Sequence, residues 1–232
     1  MTKNVVDKNV VDKIDDKVKI RTVLMSVSDK SGLDTFMPGL MAVNPDILIL
    51  STGGTYHAIK EILGDPAENC LQQVSDYTGQ PETQGGLVKT LDFKIYLGLL
   101  TETYNDAHQD DLKRTEAMAI DMVVVNLYPF SETIAKQGVT VEEARGNIDI
   151  GGPAMIRASA KNFIRVASVV DPGSYTNILE KLKVNRGSLS LEDRFALSQQ
   201  AFAHTALYDS TIAGYLGSKA KNEVQSCYQS GE

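Results

Sequence analysis

Apolar positions along the chain fall into short runs that end in polar, glycine-containing turns. Residues 20–27 form a β-rich run that ends at Ser28-Asp29-Lys30-Ser31-Gly32. Residues 33–41 follow with helical spacing, interrupted by Pro38-Gly39. Residues 46–50 form a second apolar run, which ends at Ser51-Thr52-Gly53-Gly54-Thr55 before a helical stretch over 56–63. Residues 121–125 are continuously apolar after Asp121 and lead into Asn126-Leu127-Tyr128-Pro129-Phe130. Residues 165–170 give a fourth run, closed by Asp171-Pro172, and Gln73-Val74-Ser75 is a weaker candidate for a fifth. Short apolar strands separated by helices predict parallel βαβ units with both sheet faces covered, an α/β fold with a mostly parallel sheet flanked by helices. Residues 191–216 carry helical periodicity without a strand signal, so the C-terminal region is expected to be helical and to pack on the sheet through Ala201-Phe202-Ala203.

The ends differ in character. Asn4-Val-Val-Asp-Lys8 is repeated directly as Asn9-Val-Val-Asp-Lys13, with alternating charge and little bulk. That pattern predicts a flexible extension over 1–19, one domain over 20–218 and a polar tail over 219–232. A chain of 232 residues suits one large domain. Its net charge of -7 argues against a generic nucleic-acid binder, which needs a basic face. Cys70 and Cys227 lie far apart with no CxxC spacing, which disfavours a disulfide framework or zinc site and fits a reducing, cytoplasmic setting. The apolar runs are too short to span a membrane, and the first residues lack the apolar core of a signal peptide.

The polar clusters that follow the strand-like runs carry the candidate chemistry, because open parallel sheets bind ligands at the carboxyl ends of their strands. The richest is Asn147-Ile148-Asp149-Ile150-Gly151-Gly152-Pro153, running on to Arg157 and Lys161. Adjacent glycines let main-chain N–H groups approach a ligand, and Pro153 suits the first position of a helix whose free N–H groups favour an anion or a developing charge. Lys161, two turns on, is expected to fold back to the same site. Ser51-Thr52-Gly53-Gly54-Thr55 offers hydroxyls and N–H groups suited to a phosphate, but lacks the lysine and spacing of a P-loop. Ser28 and Lys30 add a hydroxyl and a cation, Lys89-Thr90 follows a glycine-rich stretch, and Tyr128 stands at a strand end beside Asn126. The three histidines, His57, His108 and His204, have no catalytic context. HExxH, GxSxG and GxGxxG are absent, which removes the sequence case for zinc proteolysis, serine hydrolysis or a Rossmann dinucleotide site.

Taken in order, Val27-Ser-Asp-Lys-Ser-Gly32, Ser51-Thr-Gly-Gly-Thr55, Val74-Ser-Asp-Tyr-Thr-Gly79, Val88-Lys-Thr-Leu91, Val123-Val-Val-Asn-Leu-Tyr-Pro-Phe130, Asn147-Ile-Asp-Ile-Gly-Gly-Pro153 and Arg157-Ala-Ser-Ala-Lys-Asn162 closely resemble the inosine monophosphate cyclohydrolase domain. That domain is the N-terminal half of a bifunctional purine-biosynthesis formyltransferase/cyclohydrolase. Ala201-Phe-Ala-His-Thr-Ala206 with Tyr208-Asp209 extends the resemblance, which covers roughly residues 21–217. It implies a methylglyoxal-synthase-like fold and closure of the purine ring from the formylated aminoimidazole carboxamide ribotide, with loss of water and no metal or redox cofactor. It also implies a homodimer and a separate formyltransferase polypeptide. Counterparts of Ser28, Lys30, Ser51, Thr52, Gly53, Gly54 and Thr55 surround the ribose phosphate and base in that family. Counterparts of Lys89, Thr90, Asn126, Tyr128, Asp149, Ile150, Gly151, Gly152 and Lys161 approach the reacting end. The expected division is Lys89 and the 150–152 backbone at the developing oxyanion, Tyr128 and Lys161 in proton transfer, and Asp149 at the carboxamide nitrogen. The chain departs from the pattern around Lys89, where Leu87, Asp92 and Phe93 replace an arginine, a histidine and a proline. A catalytically impaired purine-nucleotide binder with a regulatory role is therefore the alternative. Methylglyoxal synthase, which shares the fold, fits the Asn-Leu-Tyr-Pro and Asp-Ile-Gly-Gly-Pro elements less well.

Overall fold

The computed structural model describes residues 11–80, 90–229 and 231. The strands are β1 (Lys17–Lys19), β2 (Thr22–Val27), β3 (Leu48–Ser51), β4 (Leu71–Gln73), β5 (Met122–Asn126), β6 (Ala167–Val169) and β7 (Ser188–Ser190). The helices before β5 are α1 (Leu33–Val43), α2 (Gly53–Leu63), α3 (Ala67–Cys70), α4 (Val74–Thr78), α5 (Phe93–Leu100) and α6 (Asp106–Thr115). Those after it are α7 (Phe130–Ile134), α8 (Val141–Gly146), α9 (Gly151–Lys161), α10 (Tyr175–Val184), α11 (Leu191–Gly217) and α12 (Lys221–Gln225).

Five strands form a parallel sheet in the order β4-β3-β2-β5-β6. Alternation along each strand divides its side chains between two cores. Val23, Met25, Ile49, Met122 and Val124 enter one, with α1 and α10. Leu24, Leu50, Val123 and Val125 enter the other, with α5, α9 and part of α11. Burial on both faces explains why these strands read as continuous apolar runs. The chain winds from β2 to β3 and β4 on one side, then crosses back so that β5 lies on the other side of β2. This reversal opens a crevice at the carboxyl ends of β2 and β5, where Val27 lies opposite Asn126.

Several expectations shift. The fifth strand ends at Gln73, and Val74 and Ser75 begin α4 instead. Helix α1 runs through Pro38, because Phe36, Met37 and Leu40 are all buried and Phe36 stacks on Tyr175 at 4.3 Å between ring centroids; packing overrides the lost main-chain bond. Residues 15–19 of the predicted extension are tied to the rest of the chain. Lys17, Val18 and Lys19 pair antiparallel with Ser190, Leu189 and Ser188 in a separate ribbon. Arg194 of α11, fully buried, donates to the carbonyls of Asp15 and Asp16. The pentad repeat largely precedes the described residues. In the polar tail, α12 packs on α8, and the Tyr228 hydroxyl bonds to the Glu142 carboxylate. Among the described residues no helix is long and apolar enough to cross a membrane.

Candidate functional site

A cavity of about 380 Å³ occupies the crevice between β2 and β5. Ser28 and Lys30 line it from the β2 turn, Thr52, Gly53, Gly54 and Thr55 from the start of α2, and Thr90 from the segment before α5. Asn126 and Tyr128 line it from the end of β5, and Asp149, Ile150, Gly151 and Gly152 from the entry to α9. The structure thus brings thirteen of the sequence-predicted positions together.

Three predicted positions differ. Ser51 faces inward: it is fully buried and its hydroxyl donates to the Met25 carbonyl at 3.0 Å, holding β3 to β2. Alternation along the strand end gives the cavity wall to Thr52 instead. Lys161 is the last residue of α9, exposed and not among the cavity-lining residues. Eight residues at 1.5 Å each place it about 12 Å along the axis from Pro153, too far to fold back. Lys89 lies outside the described residues, as does Leu87. Ser26, Val27, Leu91, Gly146, Ile148 and Met155 also line the cavity. Val27, Leu91 and Ile148 sit inside the quoted motifs, but as apolar wall they were not singled out, and Ser26, Gly146 and Met155 lie outside those motifs.

Two helices aim their N-termini at the cavity. Helix α2 begins at Gly53 after Thr52, with no side-chain cap and no acidic residue in its first turn. Helix α9 begins at Gly151 after Ile150, again with no capping bond from the N-cap side chain and no acid in its first turn. Pro153 is therefore the third helical residue, not the first, which is still within the turn that proline tolerates. The α2 start, with no carboxylate on it, attracts an anion, whereas the Asp149 carboxylate already meets the Gly152 N–H at the α9 start. Lys30 adds a positive charge beside them, its ammonium held by the carbonyls of Val27 at 3.3 Å and Ser28 at 3.4 Å.

The β2 turn is shaped by two side chains. The Asn126 oxygen accepts from the N–H groups of Ser28 and Asp29, and its amide donates to the Asp29 carbonyl at 2.8 Å. Both ends of this amide are therefore committed to the loop. The Thr55 hydroxyl bonds both the N–H and the carbonyl of Val27, each at 3.0 Å, which ties α2 to the end of β2.

At the opposite wall, the Asp149 carboxylate accepts from the Gly152 N–H at 2.8 Å. Burial pushes its pKa above the ordinary aspartate value, against the opposing pull of main-chain N–H groups at Gly152, Tyr128 and Gly151. A long-range prop comes from α11, whose Tyr208 hydroxyl accepts from the Asp149 N–H at 2.9 Å. The two glycines here are required by contact. A Cβ on Gly151 would lie 2.4 Å from the Thr90 hydroxyl, and one on Gly152 2.5 Å from both the Asp149 carboxylate and Leu127. Tyr128 is 55% exposed, so its phenol is free to meet a ligand.

The altered residues near Thr90 are less disruptive than their types suggest. Asp92 is buried and caps α5, accepting from the Lys94 N–H at 2.7 Å, so its charge is committed to a helix start. Phe93 stands exposed on the first turn of that helix. No histidine reaches the cavity. His108 accepts from the Glu102 N–H, His57 packs edge-on to Tyr56, and the half-buried His204 is held below its ordinary pKa by desolvation.

A family model of the AICARFT/IMPCHase bienzyme matches residues 159–231, and a model of the MGS-like domain matches residues 39–154. Among solved structures, the crystal structure of ForH is similar at a TM-score of 0.73 and 29% identity, over 85% of this chain and 97% of that one. With its five-stranded parallel sheet and a crevice at the strand reversal, the chain belongs to the MGS-like domain family, and its C-terminal helices carry the pattern of the AICARFT/IMPCHase bienzyme of purine biosynthesis.

Proposed function

We propose that the chain is an IMP cyclohydrolase, closing the six-membered ring of the formylated aminoimidazole carboxamide ribotide to inosine monophosphate and water. The observation that carries this reading is that one cavity combines a phosphate-type cradle with a reacting edge. The cradle is the uncapped start of α2 with Lys30, and the edge holds a free phenol and a half-buried carboxylate seated on the start of α9. A substrate with a phosphate at one end and a carboxamide beside a formamide at the other matches both ends.

The carboxamide nitrogen attacks the formyl carbon, forming the new C–N bond. The formyl oxygen leaves as water with two protons, one from the carboxamide nitrogen and one from the formamide nitrogen. Because both reacting groups belong to one molecule, holding them in contact supplies much of the rate. Charge developing on the formyl oxygen meets Lys89 as its donor, near the positive end of the α9 dipole. The raised pKa makes the Asp149 carboxylate a stronger base toward the carboxamide nitrogen, and Tyr128 donates to the departing oxygen. Asn126 acts through the loop that it holds rather than by touching substrate. Lys161 has no part in this scheme. A separate formyltransferase would supply the substrate, and the working form would be a homodimer.

Incubating the purified chain with the formylated ribotide, and following inosine monophosphate by chromatography against an enzyme-free control, tests the reading. Product is expected, with turnover reduced about 10²-fold or more in Asp149→Asn and Tyr128→Phe. Unchanged turnover in either variant would remove that residue's role. Absence of product, with inosine monophosphate still raising the melting temperature, would replace the enzyme by a purine-nucleotide binder.

A further inference from the structure

A second cavity of about 380 Å³ lies at the opposite end of the sheet, between the amino ends of β2, β5 and β6 and the β1–β7 ribbon. Lys17, Lys19, Arg21 and Arg165 line it together with Asp15 and Asp121. The carboxylates are already engaged. Asp121 accepts from the N–H groups of Arg21 at 2.9 Å and Thr22 at 3.0 Å, and pairs with Arg165 at 3.3 Å. Asp15 accepts from the Tyr104 hydroxyl at 2.6 Å. Arg165 is also committed, donating to the carbonyls of Thr101 and Gly98.

Lys17, Lys19 and Arg21 remain, all exposed and none in a salt bridge among the described residues. Lys17 and Lys19 share one face of β1, since residues two apart in a strand point the same way. The wall also contains Thr101, 2% exposed, whose hydroxyl is buried with no hydrogen-bond partner among the described residues. A buried hydroxyl left unsatisfied is uncommon without a ligand or water to meet it. Three cations lining one cavity raise the local concentration of anions. Among the described residues Val18 and Ala119 are the apolar side chains of the lining, and no aromatic ring there offers a platform for a nucleobase.

We propose that this crevice is a second binding site, distinct from the strand-reversal cavity, for a compact phosphate-bearing polyanion of the diphosphate class. The observation behind it is independent of the catalytic reading, because no residue is shared between the two cavities.

Calorimetric titration of the full chain with inorganic diphosphate, at constant ionic strength, provides the test, since exposed charges are screened by salt. Saturable binding is expected, weakened at least tenfold in Lys17→Gln/Lys19→Gln/Arg21→Gln and several-fold in Thr101→Val. Lys183→Gln, at an exposed lysine that lines neither cavity, is expected to leave it unchanged. Thermal melting of each variant verifies folding, and Arg21→Gln alone, a change to one exposed side chain, is expected to weaken binding in the same direction. Undiminished binding in the triple variant, an equal loss in Lys183→Gln, or no saturable heat with the parent protein would each overturn the proposal.

Discussion

At Gly152 two constraints meet in one missing methyl group. A Cβ there would collide with the Asp149 carboxylate and with Leu127, both at 2.5 Å. Gly152→Ala must therefore move the proposed base, and displacement by about 1 Å can reduce turnover about 10²-fold. Overpacking should also cost roughly 1–3 kcal/mol of stability. Gly54 is the contrasting case, because no atom lies within 4 Å of its absent Cβ. Gly54→Ala should melt close to the parent and show its effect only in nucleotide affinity, at the wall where the phosphate is placed. Calorimetry with inosine monophosphate on both variants separates these outcomes; equal behaviour of the two would contradict the assignment. Asp149 gives a pH signature of its own. Its folded-state pKa is raised by burial, so its stabilising contribution is present below the unfolded value of about 3.9 and is lost as pH rises through the folded value. Asp149→Asn removes that loss while keeping an oxygen for the Gly152 N–H. Urea unfolding at a series of pH values should show the variant gaining on the parent between strongly acidic conditions and neutrality, and a relative decline over that interval would refute the assignment.

Among the elements, the sheet strands were the most legible in the sequence. Residues 122–125 read as a continuous apolar run and residues 165–170 as one interrupted by Ser168, because α/β packing buries both faces, and β5 and β6 lie within or one residue beyond them. The site clusters were legible for the related reason that each follows a strand. Where inference by spacing went wrong, direction was the missing variable. Ser51 belongs to the same motif as Thr52, but strand alternation sends its hydroxyl into the interior. Lys161 lies two turns beyond Pro153, but on a straight helix those turns carry it away from the site. Proline 153 suggested a helix start, whereas Gly151 begins the helix, because the Gly152 N–H finds the Asp149 carboxylate and proline is accepted two positions later. The prop from Tyr208 of α11 to the Asp149 loop spans 59 positions, and no local pattern encodes such a contact.

For the molecule as a whole, the least legible feature binds the beginning of the described chain to its last long helix. Residues 11–19 look polar and loose because their recognition uses carbonyl groups, which every residue possesses. Arg194 is the reader. Its guanidinium is fully buried and donates to the carbonyls of Asp15, Asp16, Phe163, Ile164 and Leu189, joining β1, the loop before β6, β7 and α11. Burial pulls its pKa down while the nearby Asp16, Asp15 and Asp193 carboxylates push it back up, so the cation is supported by charge as well as by carbonyl dipoles. Arg194→Met keeps length and apolar stem but leaves all of those carbonyls without their donor. Leaving buried carbonyls without a donor costs about 1–3 kcal/mol for each that water cannot reach, a large share of a typical domain stability of about 5–15 kcal/mol. Arg194→Lys should recover only part of that loss, because three rotating donors cannot reproduce a planar fork of five. Urea unfolding should rank parent, Lys and Met in descending midpoint. Limited proteolysis should cut near residues 11–19 in the Met variant under conditions where the parent resists, since β1 loses the anchor beside its ribbon partner. A Met variant with the parent's midpoint and cleavage pattern would mean that the β1–β7 pairing holds this end without the arginine.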